Sequence, residues 1–250
     1  LFTKRQLCGL NEFADLVQEV RDKIEVEALA ADLQNDTISV LEGGIGASAY
    51  SEAVSLYLSF AVDRIADYGS TIATWAPDGF IRSTFSRQAI QMTWDFAECN
   101  FFSDGTGNFL GAVDWVAKAM AGLPASGFGS VRQHDAQTVD YPANTVISTD
   151  PPYYDNIPYA DISDYFYSWL RRSAPRGLRK AMPTLSVPKM EELVADRMRH
   201  GSAKNAEAFF LDGMRRAMNA MLVGSQDEAP ATIYYAFKQS DLVEGGVSST

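Results

Sequence analysis

Residues 144 to 172 read NTVISTDPPYYDNIPYADISDYFYSWLRR. A short run of small and β-branched residues, with Val146 and Ile147 at its centre, stops at Asp150-Pro151-Pro152-Tyr153. Val and Ile suit a pleated, half-buried strand. Proline cannot donate to a strand ladder, so two prolines end the strand and hold the turn rigid. Such a turn keeps the carboxylate of Asp150 and the backbone carbonyl of Pro151 in one orientation, and Tyr153 sets a flat ring beside them. An amino group on a planar heterocycle needs that combination, acceptors for its hydrogens and a ring to stack on. Asp before Pro-Pro is also an ordinary turn opener, so the motif alone leaves both readings open.

Around this point the chain reads as strands alternating with helices. "GSVRQHDA" (129–136) predicts a short strand ending in Asp135, and "NTVISTD" a stronger one. "DISDYFYSWLRR" places Ile162, Tyr165, Phe166, Trp169 and Leu170 at helical spacing, with Asp161 or Ser163 as N-cap. That spacing assigns Tyr165, Phe166, Tyr167 and Trp169 to a core or sheet-facing role rather than to base stacking. "KNAEAFFLDGMRRAMNAMLV" (204–223) predicts another amphipathic helix and "ATIYYAFKQ" (231–239) an aromatic, β-branched strand. This alternation predicts an α/β fold with a largely parallel sheet. Pro175 to Pro188 reads as a long mobile loop.

The first half is different. Phe13, Leu16, Val17, Val20, Ile24 and Leu29 mark a helix over 11–33, and the pattern from Tyr50 to Ile65 marks a second over 48–67. Further helices are expected over 84–98 and 108–120, separated by the loop "FSDGTGN". We therefore expect a mainly helical region over 1–125 and an α/β region over 126–250, together forming one continuous domain.

The chain has 250 residues, 46% of them hydrophobic, enough for a core without metal or disulfide staples. Its two cysteines, Cys8 and Cys99, have no CxxC partner, and its only histidines are His134 and His200. Reduced thiols are expected, and neither a metal site nor a histidine-based triad is supported. No run reaches the roughly 18 continuous apolar residues of a membrane span. No secretory leader is read, so no membrane partner and a cytoplasmic location are expected. The chain opens on Leu1 and closes on "EGGVSST" just after an apparent strand, which suggests a piece of a longer protein. Net charge is −11, the wrong sign for a nucleic-acid binder. Residues 171–204 nevertheless carry +6 against −17 elsewhere. A basic stretch on an acidic body suits phosphate contact, and equally a solvated helix end.

Asp150-Pro151-Pro152-Tyr153 resembles the DPPY motif of S-adenosylmethionine-dependent amino methyltransferases acting on DNA. The longer string "STDPPYYDNIPYADISDYFYSWLRR" resembles one branch of them, the large adenine-specific DNA methylases whose N-terminal part carries a domain of unknown function. "GGIGASAYSEAVSLYLSFAVDRIADY", "FSRQAIQMTWDFAECNFFSD" and "TIYYAFKQ" resemble other segments of that branch, in order, so the resemblance covers most of the chain. It implies a Rossmann-like methyltransferase sheet, present here in part. It also implies a double-stranded DNA substrate with the target base flipped into the pocket. Asp150 and the Pro151 carbonyl would then draw adenine N6 towards a tetrahedral geometry and free its lone pair for attack on the sulfonium methyl, with Tyr153 stacking on the base. Tyr154, Asp155 and Asn156 follow along the loop as candidate pocket-lining residues, and Arg171 and Arg172 as candidate substrate contacts.

The family also needs a glycine-rich turn for its cofactor. "VLEGGIGASAY" (40–50) has Gly43, Gly44 and Gly46, but the preceding "NDTISV" is short and polar, and no strand ending in an acid follows about 20 residues later. The turn is therefore read as a loop and helix start, with the cofactor motif expected upstream of Leu1. In such enzymes an acidic residue at the position of Asp135 contacts the cofactor's adenine; a strand-capping role is the alternative. The isolated chain is accordingly expected to bind S-adenosylmethionine poorly, to be inactive by itself and to work with the missing N-terminal portion. Cytosine N4 or an RNA amino group fits the same acceptors. A non-catalytic nucleic-acid-binding or scaffold fragment of a restriction-modification or phage-defence system is the reading from another class.

Overall fold

The computed structural model describes residues 1–124, 126–127, 129–155 and 157–235. It divides the chain into two compact units. The first comprises Leu1–Gly127 and Ile162–Val187, and the second Phe128–Asp161 and the described residues from Pro188 onward. The first break falls close to the change of character expected at residue 125, but the chain re-enters the first unit for 162–187.

The first unit is built on α1 (Lys4–Ala30) and α2 (Ala47–Tyr68). α1 begins earlier than its apolar spacing suggests, because Thr3 and Gln6 form a reciprocal cap: Gln6 N donates to Thr3 Oγ1 at 3.1 Å and Thr3 N to Gln6 Oε1 at 2.7 Å. Leu10 and Ala14 on α1 face Ala61, Val62 and Ile65 on α2, all fully buried. The small Ala14 and Ala61 among them let the helices approach closely. A hairpin of β1 (Trp75–Ala76) and β2 (Phe80–Ile81) and the helix α3 (Phe109–Ala121) follow. Asn108 caps α3, its Oδ1 accepting from Gly111 N at 2.6 Å. Most of α4 (Tyr159–Ser173) belongs to this unit. Its Tyr165 and Trp169 are buried in the core with Leu10, Ile65 and Phe101, while Phe166 and Tyr167 are half-buried.

The expected helix over 84–98 is absent; that segment is irregular. Hydrogen bonds to α2 and the residues after it hold it in turns and irregular backbone. Thr84 N and Oγ1 donate to Asp67 O at 2.7 and 2.6 Å, Phe85 N donates to Asp67 Oδ1 at 3.1 Å, and Ala97 N donates to Ala73 O at 2.8 Å. Ile90, Met92 and Trp94 are exposed, so a helix there would have no buried apolar face to stabilise it.

The second unit pairs β3 (Ser148–Thr149) with β4 (Thr232–Ile233) in parallel, in the register Ser148↔Thr232 and Thr149↔Ile233. An isolated parallel bridge, Thr145↔Ser225, extends the pairing backwards. Among the described residues parallel pairing is confined to these two strands and that bridge, and no larger sheet forms. The strand expected over 129–135 is also absent; those residues are exposed and unpaired with any strand. α5 (Arg197–His200) and α6 (Ala203–Gly224) complete the unit, with Phe210 and Ala206 of α6 packed on Ala195. The "ATIYYAFKQ" strand is seen as β4, and its residues from Ala236 lie outside the described ones.

α4 starts at Tyr159, before the expected caps Asp161 and Ser163. Pro158 is pre-set for a helix start, and the distant Glu192 supplies the cap, its Oε1 accepting from Ala160 N at 2.9 Å. Asp161 instead accepts from Arg199 Nη2 at 2.6 Å. The Pro175–Pro188 stretch is not featureless: Leu178–Ala181 form a 3-10 turn, with Pro175 and Leu178 buried. Among the described residues no helix is long and apolar enough to cross a membrane.

Candidate active site

The β3 ladder decides where the DPPY turn stands. Thr232 N donates to Ile147 O at 3.0 Å and Tyr234 N to Thr149 O at 2.8 Å. Among the described residues the pairing goes no further, and neither Pro151 nor Pro152 has an N–H to donate to a ladder. Asp150 is exposed at the carboxyl end of a parallel strand, the position where open α/β sheets bind ligands. Among the described residues the Pro151 carbonyl accepts no hydrogen bond.

Tyr153 donates its hydroxyl to Asp150 Oδ1 at 2.7 Å. This closes the four-residue turn and leaves Asp150 Oδ2 without a donor among the described residues. The Tyr153 ring meets Tyr235 edge-on, centroids 5.3 Å apart at 70°. The site therefore offers one carboxylate oxygen, one backbone carbonyl and a half-buried aromatic ring. Tyr159, at the start of α4, belongs to the same neighbourhood: partial burial raises its phenol above the ordinary value, and the charges of Asp150 and Glu192 add to the rise. Sequence spacing did not single out Tyr159.

Tyr154 has another role. Its backbone is left-handed, with φ of 41°, an unusual conformation for a residue with a Cβ. Its carbonyl accepts from Ala195 N at 2.8 Å and its ring packs edge-on against Phe210 at 5.2 Å. Partial burial raises its phenol too, helped by Glu207 and Asp155. Tyr154 thus anchors the loop to the core of the unit, while Asp155 is exposed. Asn156 lies outside the described residues.

Arg199 is the centre of an ion-pair network in the same unit. Its side chain, 10% exposed, pairs with Glu192 at 2.6 Å, Asp161 at 2.6 Å and Asp196 at 3.4 Å. Desolvation alone would lower its pKa, but the hydrogen bonds to Glu192 and Asp161 prevail and raise it. This network fixes the start of α4, the element that follows the loop.

Asp135 sits in a turn, with Oδ1 accepting from Gln137 N at 2.9 Å and Oδ2 from Gln137 Nε2 at 3.3 Å. Its carboxylate is engaged locally. Arg171 and Arg172 belong to the first unit, where Arg171 Nε donates to Met182 O at 3.3 Å and Arg172 pairs with Asp15 at 2.9 Å.

The glycine-rich turn does not fit a cofactor cradle. Gly43 is left-handed, with φ of 82°, and follows the 3-10 turn Val40–Glu42. A side chain at Gly44 would run into the Ile38 carbonyl, and one at Gly46 into Asp36 and the Gln34 carbonyl. These glycines are needed where the chain packs on itself, and Gly46 caps α2. With Asp135 also engaged, these residues do not form a site for S-adenosylmethionine. No family model, curated protein or solved structure matches this chain.

Proposed function

We propose that this chain carries the catalytic loop of an amino methyltransferase acting on adenine N6 in DNA, on a methyltransferase-type sheet to which the β3–β4 pair would belong. The observation that carries the reading is the tether between Tyr153 and Asp150 beside the Pro151 carbonyl, at the carboxyl end of a parallel strand. A flipped base would present its amino group to Asp150 Oδ2 and the Pro151 carbonyl. Two acceptors on one amino group position it and favour the pyramidal nitrogen needed for attack. Tyr153, held by its hydroxyl, would supply the ring for stacking. The methyl donor, S-adenosylmethionine in this reading, requires residues other than Asp135 and the glycine-rich turn.

The test is expression of the complete reading frame that encodes this chain, in a host whose DNA is unmethylated, with mass spectrometry of the host DNA. N6-methyladenine formed by the wild type and lost in Asp150→Ala supports the proposal. N4-methylcytosine in its place reassigns the base. Neither modified base in DNA, with the protein expressed and folded, overturns DNA methylation and leaves an RNA amino group or the non-catalytic nucleic-acid-binding reading.

A further inference from the structure

Four guanidinium groups line one cleft of the first unit. Arg171 and Arg172 come from the last turn of α4, and Arg176 and Arg179 from the segment after it. The cleft measures about 570 Å³, and Asp15 supplies the one carboxylate of its lining. Both Asp15 oxygens accept from Arg172 Nη2, at 2.9 and 3.0 Å. Three cations of the lining therefore have no counter-charge within it.

Two of these are held in place by backbone. Arg179 donates from Nε to Ala174 O at 3.1 Å and from Nη2 to Arg172 O at 2.6 Å, and Arg171 Nε donates to Met182 O at 3.3 Å. Carbonyls orient a guanidinium without neutralising it, and each group retains unused N–H donors. The negative end of the α4 dipole explains cations near its last turn. It does not explain Arg176, which is exposed and whose side chain makes no hydrogen bond or ion pair among the described residues. Nor is a cationic cleft a by-product of composition in a chain of net charge −11. Clustered like charges repel, and an anion with several oxygens, able to accept from more than one guanidinium fork, relieves that repulsion.

We propose that this cleft binds a phosphate group, Arg176 and Arg179 acting with Arg171 and Arg172, and that the phosphate is a phosphodiester of the DNA backbone. The DNA source rests on the function proposed above; the phosphate chemistry does not.

Fluorescence anisotropy of a labelled DNA duplex, titrated with the 250-residue chain over a salt series, tests this. Arg176→Ala breaks no hydrogen bond or ion pair and should leave the melting curve unchanged; Arg176→Ala/Arg179→Ala extends the series. The expected result is weaker binding, roughly tenfold in the double variant at low salt, and a salt slope smaller by about one for each phosphate that the variant no longer neutralises. Asp150→Ala should leave that slope unchanged, so failure of the methyl-transfer reading would not mimic failure of the cleft. DNA binding with affinity and slope unaltered in both arginine variants overturns the proposal. If the wild type does not bind DNA, calorimetry with inorganic phosphate and pyrophosphate decides. Binding heat abolished in Arg176→Ala assigns the cleft to free phosphate compounds, and no heat overturns the proposal.

Discussion

The phenol of Tyr153 donates to the carboxylate of Asp150 across 2.7 Å, three residues away and past two prolines. One partner is an acceptor aimed at solvent, and the other is the ring beside it. The bond fixes their spacing before any ligand arrives, a preorganised arrangement that lowers the ordering cost of binding. It also separates the two groups experimentally. Tyr153→Phe keeps the ring and removes the tether, so methyl transfer by the complete protein should fall less than about tenfold. Asp150→Ala removes an acceptor of the reacting nitrogen and should lower it by about 100-fold or more. Radiolabelled methyl incorporation into DNA compares the two, and equal losses would contradict this division of roles.

Arg199 sits among three carboxylates with its side chain 10% exposed, and Glu192, 12% exposed, also caps α4 through Ala160 N. Arg199→Ala leaves Glu192 and Asp161 with uncompensated charge. Removing one partner of a buried ionic network typically costs about 3–5 kcal/mol. Urea unfolding should show a loss in that range. Arg215→Ala, which removes an exposed pair with Asp212, should change stability by less than about 1 kcal/mol.

Burial pushes the Asp63 carboxyl up to about 8, and its Oδ1 has no hydrogen-bond partner. Asp67, one turn on, is also raised by burial. An unfolded aspartate titrates at about 3.9, so between that pH and about 8 the folded chain binds the extra proton. Stability is therefore highest below about pH 4 with respect to this group, falls as pH rises to about 8, and is level above. Asp63→Asn should flatten that slope and raise stability at pH 8.5 by about 1–3 kcal/mol. Urea midpoints at pH 5 and 8.5 measure it; a wild type more stable at 8.5 than at 5 would refute the assignment.

Cys8 is exposed, whereas Cys99 is buried with its thiol pushed up to about 11. Since the thiolate is the nucleophile, iodoacetamide at pH 8 should modify Cys8 alone in the native chain and both cysteines in denaturant. Peptide mass mapping reads the sites.

The long helices were legible where the determinants are local. Apolar spacing located α2 and α6 to within a residue or two and α1 with its start seven residues late, and Asn108 marks the start of α3. The end of β3 was legible for a covalent reason, because Pro151 and Pro152 lack N–H groups whatever surrounds them. The identity of the turn, Asp150 through Tyr153, is likewise written in the chain, as is the excess of cations after Arg171.

Tertiary structure decided the rest. Segment 84–98 has a helical spacing, but the acceptors of Asp67 and Ala73 hold its backbone in an irregular path. α4 starts at Tyr159 because Glu192, 32 residues beyond Ala160, caps it, which releases Asp161 to Arg199. Asp135 turned out to be bonded to its own turn, and Tyr154 to the core. The four arginines share one cleft only because the chain after α4 turns back on that helix's end. Local periodicity records which side chains a segment offers. Whether its backbone groups bond to neighbours or to distant partners is settled only when the chain closes on itself.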